Sequence, residues 1–69
     1  MEITITQNES FGHLYVGDSS DPYSNLTIRE DKVEAFIYAS GLSGQFPQVI
    51  RNEDAEAVWI VAQNYAIAY

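Results

Sequence analysis

The stretch "NEDAEAVWIVAQNYAIAY", Asn52 to Tyr69, constrains the fold more than any other part of the chain. It begins with Asn52, Glu53, Asp54 and Glu56, and from Ala57 onward only Gln63 and Asn64 are polar. A run this apolar has to be covered, and the spacing of its residues says how. At 100° per residue, Ala55, Val58, Trp59, Ala62, Tyr65, Ala66 and Tyr69 gather into one stripe, the pattern of an amphipathic helix. Asn52 is a good N-cap residue, the acids crowd the first turn where the helix dipole favours them, and the alanines favour helix. The alternative is a hairpin pairing "VWIVA" with "YAIAY" around Gln63-Asn64. Its length and alternation are right, but Gln-Asn is a weaker turn than Asn-Gly and alanine suits strands poorly. The helix also leaves Ile60, Val61 and Ile67 off the main stripe. Another helix of the same monomer, a second copy or a partner must cover them; Ile60 and Ile67 are the residues expected to carry self-association.

The rest of the chain supplies the other layer. Ile3 and Ile5 alternate with Thr4 and Thr6, a half-buried strand. "HLYVG" repeats the alternation with Leu14 and Val16 on one face and His13 and Tyr15 on the other, and the short "NESFG" link predicts an antiparallel hairpin. "GDSSDPYSN" reads as a loop rich in turn residues. Thr27 and Glu30 fit a capping box, which predicts a helix from near Ile28 with Val33, Phe36 and Ile37 on its stripe. Gly41 or Gly44 ends it. Pro47 confines "QFPQVIR" to an edge or a strand start, with Gln48 to Arg51 as the strand. The expected fold is a single α+β domain of two layers, ββαβα, or ββαββ if the C-terminal hairpin forms.

At 69 residues the domain buries only about 60% of its unfolded surface, so tight packing or a second copy must stabilise it. There is no cysteine and only one histidine, His13, so neither a disulfide nor an ordinary zinc site is available. No metal or cofactor is expected. The N-terminal "MEITITQNES" has no basic region or long apolar run, so the expectation is a cytoplasmic protein without a signal peptide or membrane span.

Acids outnumber bases ten to three, for a net charge of −7. Such a chain repels nucleic acid and anionic membranes and attracts basic protein surfaces. His13 lacks a nucleophile-elbow serine, "GLSGQ" missing G-x-S-x-G by one position. Asp18 and Asp21 do not complete a calcium loop, and turn chemistry accounts for them. No phosphate-binding glycine motif occurs, and "AFIYASGLSGQFPQVIR" lacks the basic recognition helix of a helix-turn-helix. No enzyme is expected. The acids Glu30, Asp31 and Glu34 of the first helix, with Glu53, Asp54 and Glu56 of the second, are read as an anionic face as well as dipole partners. Tyr23 and Tyr38 are read as aromatic anchors beside it.

Acid pairs such as Glu30-Asp31 and Glu53-Asp54 beside tyrosines, in a short cysteine-free chain, make the whole sequence resemble the small acidic proteins by which phages and mobile elements inhibit host defence. That is the anti-CRISPR and DNA-mimic class. The resemblance implies a non-enzymatic inhibitor occupying the basic nucleic-acid-binding surface of a defence complex. The alternative expectation is a small homodimeric structural or assembly protein associating through its C-terminal helix.

Overall fold

The computed structural model describes residues 1–67. The alternating isoleucines form β1 (Glu2–Gln7), which pairs antiparallel with β2 (Leu14–Asp18), Ile5 opposite Val16. β2 pairs in turn with β3 (Asp21–Ile28), and β1 pairs on its other side with β4 (Gln48–Arg51). The sheet is four-stranded and antiparallel in the order β3-β2-β1-β4. Two helices complete it, α1 (Glu30–Ser40) between β3 and β4, and α2 (Asn52–Tyr65) after β4. The architecture is the expected two-layer α+β domain, with one strand more than the sequence suggested.

That extra strand is β3. The segment read as a loop pairs along β2, with Tyr15 opposite Thr27 and Val16 opposite Leu26. Leu26 and Ile28 are the only strongly apolar residues there, too few to show the alternation from sequence. Pro22 is tolerated because β3 lies at the sheet edge, where a missing N–H breaks no ladder bond. A capping box at Thr27 is thereby excluded. Thr27 and Ile28 belong to β3, α1 starts at Glu30, and its N-cap is Arg29 with no side-chain cap. Sheet pairing competes for the same backbone groups a cap would use, and Ile28 is fully buried in the sheet. The other end of α1 is as expected: Gly41 adopts φ 71° and its N–H bonds the Ile37 and Tyr38 carbonyls.

The core lies between one sheet face and the helices. Ile3, Ile5, Leu14, Val16 and Ile28 meet Val33 and Phe36 of α1 and Ala55, Val58 and Ala62 of α2. The Phe36 ring meets Tyr65 edge-on, 6.4 Å between centroids. Burying a phenylalanine here contributes on the order of 2 kcal/mol. The C-terminal apolar run is a helix, not a hairpin, but it ends at Tyr65. Asn52 is its first residue rather than its cap, with φ 61°, and Arg51 is the N-cap without a side-chain bond. Beyond the helix Ala66 bridges Ile28 of β3, and the Ile67 N–H donates to the Thr27 carbonyl at 2.9 Å. Because α2 leaves β4 and arrives at β3, it crosses the whole inner face of the sheet. Val61 packs against the core, so part of the apolar surface off the stripe is covered within the monomer. Ile60 remains 61% exposed. Tyr69, assigned to the stripe from sequence, lies outside the described residues. Among the described residues no helix is long and apolar enough to cross a membrane.

Candidate functional site

The pairing register decides where each acid sits. β3 delivers the chain to α1 beside Leu14 and Gln7, whereas β4 delivers it to α2 beside Glu2. The two helices therefore begin at opposite ends of the sheet. Glu30, Asp31 and Glu34 lie at one end, Glu53, Asp54 and Glu56 at the other, and the structure does not join the six into one face. Periodicity along each helix could not reveal this, because the direction of α2 depends on which strand β4 pairs with.

The end carrying Glu30 is nearly balanced. Arg29 lies 3.3 Å from Asp31, Lys32 is adjacent, and Glu9 lies in the loop between β1 and β2. Glu30 is folded against that loop: a Cβ on Gly12, which has φ 77°, would lie 2.8 Å from Glu30 Cγ. Four acids face two bases there, a formal −2 of the chain's −7.

The other end is the acidic one. Across it, in sheet order, lie Asp21, Asp18 and Glu2, followed by Glu53, Asp54 and Glu56 of α2. Arg51 is the base among them, 3.3 Å from Glu2. Six acids against one base leave −5, the remainder of the −7. Four strands spaced about 4.8 Å apart spread this row over roughly 15 Å. Among the described residues no three acids or histidines cluster closely enough to hold a metal ion. Sequence reading missed Glu2, Asp18 and Asp21 as members of this row, since only the pairing of all four strands sets them in line with the start of α2.

Asp18 and Asp21 are fixed by their own turn. Asp18 Oδ1 accepts the Ser20 hydroxyl at 2.7 Å and the Ser20 N–H at 2.9 Å. Those bonds, the hydroxyl first, hold the Asp18 carboxyl below the ordinary aspartate range. Asp21 accepts the Tyr23 N–H and the Ser24 hydroxyl. Both carboxylates are thus held in set positions.

Tyr23 is 94% exposed at the start of β3 and Tyr38 is 91% exposed in the last turns of α1, so both project from the half of the molecule nearer the acidic end. Ile60 is on the exposed side of α2, but Ile67 is past the helix end, half-buried beside β3. The two do not form one helical face. His13 Nδ1 lies 3.2 Å from the Phe11 carbonyl oxygen, and its ring meets Phe11 edge-on. Among the described residues no serine or carboxylate hydrogen-bonds that ring.

Comparison of the chain with protein-family models, with curated proteins and with solved structures finds no match.

Proposed function

We propose that this protein is a non-enzymatic acidic binding protein of the phage-type inhibitor kind, acting in the host cytoplasm. It occupies a basic surface that a defence complex otherwise uses to hold nucleic acid. The observation that supports this reading is the row from Asp21 to Glu56, six acids among which Arg51 is the one basic side chain. Glu53 and Asp54 meet the dipole of α2, and the row is continued across the sheet by Glu2, Asp18 and Asp21, acids that serve no helix. Their spacing offers a phosphate-binding groove repeated negative charge, which steers association and is screened by salt. Neither nucleic acid nor a membrane is its partner on this reading.

The test is recovery of the tagged protein's partners from bacterial lysate at low and high salt. Basic nucleic-acid-handling proteins should be retained at low salt and released at high salt. Double charge reversal at Glu53 and Asp54 should weaken that retention more than reversal at Glu30 and Asp31. Recovery of the protein alone at both salts would sink the idea.

One observation favours a second reading. Ile60 is a large apolar residue left open in the middle of α2, which fits a homodimer associating through that helix. Sedimentation at rising concentration would show a dimer that Ile60→Glu abolishes. A monomer throughout would remove this reading.

A further inference from the structure

The two edges of the sheet are not alike. In the pairing of β1 with β4, the Asn52 N–H donates to the Met1 carbonyl at 2.7 Å. With Arg51 opposite Glu2 and Val49 opposite Thr4, that bond sets the phase of the ladder. Gln48 and Ile50 bond to β1, while the backbone groups of Val49 and Arg51 point away from it. The Arg51 carbonyl serves the first turn of α2, as an N-cap carbonyl does. The Val49 N–H, the Val49 carbonyl and the Arg51 N–H are left facing outward from the sheet. At the opposite edge the comparable groups are partly engaged: the Thr27 carbonyl accepts from Ile67, and the Tyr23 N–H bonds Asp21.

An open groove of about 590 Å³ adjoins the outer edge of β4. Ser40 and Leu42 at the end of α1 line it, with Val49, Arg51, Asp54 and Val58. The carbonyl end of α1 has no base in its last turn, and Asp54 adds a carboxylate. Arg51 turns its side chain to Glu2. Gln48 Nε2 holds the preceding loop by donating to the Ser43 and Gln45 carbonyls. Pro47 occupies the next outward position and has no N–H, so pairing there is limited to a short register.

We propose that the outer edge of β4 takes an extended basic segment of the partner as an added strand, with one of its lysine or arginine side chains in the groove beside Asp54. The proposal rests on the acidic-binder reading and supplies the mode of docking: backbone bonds to Val49 and Arg51 give the register, and the row Glu2, Glu53, Asp54 and Glu56 selects a cationic sequence. Charge decides against a second copy as the occupant, since each copy carries −7.

The probe is the peptide acetyl-Lys-Val-Lys-Val-Lys-Val-amide, titrated at low salt into the isotope-labelled protein and followed by NMR. The expected result is saturating shifts at the Val49 and Arg51 amides. Their hydrogen exchange should slow about tenfold at a peptide concentration about ten times Kd. Val49→Pro deletes an outward donor but no bond to β1, and should weaken binding about five- to tenfold. The same peptide N-methylated at alternate residues loses donors without altering the protein, and it should bind more weakly too. If the N-methylated peptide binds equally well and only the acids respond, the strand-addition proposal fails while the acidic-binder reading stands. If no basic peptide binds even at low salt, both fail. Protection at Val49 and Arg51 that grows with protein concentration, without peptide, would assign the edge to a second copy and overturn the proposal.

Discussion

Asp18 shows how a single residue is committed to being an anion. Its carboxylate is the acceptor for two donors of Ser20, which holds its pKa below the ordinary value. The folded protein therefore keeps Asp18 ionised at pH values where the unfolded chain has begun to protonate it. The stability this contributes is present above the unfolded value and is lost as pH falls through the depressed one. Ser20→Ala removes the hydroxyl and should raise the Asp18 pKa toward the usual aspartate range, read from an NMR titration of its carboxyl carbon. Backbone conformation is equally specific at Gly41, whose φ of 71° closes α1 although no atom lies within 4 Å of where a Cβ would be. Gly41→Ala should cost about 1 kcal/mol through left-handed strain alone. Gly44→Ala, with equally open space and no positive φ, should be near neutral. Urea unfolding of the two variants separates strain from packing.

At the scale of the element, both helices start without a side-chain cap. Arg29 and Arg51 hold the N-cap positions in extended conformation, while acids occupy the first turns. The dipole is thus met by Glu30, Asp31, Glu53 and Asp54, but the leading N–H groups have no side-chain acceptor. Arg29→Asp should therefore stabilise the fold by about 1 kcal/mol. The ion pair it sacrifices with Asp31 is exposed on both sides and worth less than about 1 kcal/mol. A lower urea midpoint for Arg29→Asp would show that Arg29 has a role beyond that pair. The position could not be recognised from the sequence. Thr27-x-x-Glu30 offers a better cap on local rules, and only the burial of Ile28 in β3 shifts the start of the helix by two residues. The end of α2 follows the same logic: the apolar stripe continues to Tyr69 in sequence, but β3 offers Ala66 and Ile67 a strand edge.

For the whole molecule, the charge separation is the dominant feature. Like charges at one end repel, and added salt screens them. Raising ionic strength should therefore raise the urea midpoint, and reversing Glu53 and Asp54 should flatten that dependence; a midpoint that falls with salt would contradict the repulsion argument. The core has little margin to offset such changes. At about 0.05–0.15 kcal/mol per residue, a domain this size has roughly 3–10 kcal/mol of stability. Phe36 is fully buried between the layers, and Phe36→Ala should cost about 3–5 kcal/mol, leaving the chain largely unfolded by circular dichroism.

Local patterning indicated the β1–β2 hairpin and the buried stripe of α1, Pro47 marked the short edge strand from Gln48 to Arg51, and the spacing favoured helix over hairpin for Ala55 to Tyr65, a choice the structure settled. Each of those depends on residues within one or two turns of one another, so the spacing of Ile3 with Ile5, or of Val58 with Ala62, carries the information. The strand β3, the true start of α1, the turn of the chain at Ala66 and the division of the acids between two ends were decided only in three dimensions. Each follows from pairing between residues far apart in sequence. Glu2 lies opposite Arg51 because β1 pairs with β4, and that one register sets where α2 begins and which acids gather there.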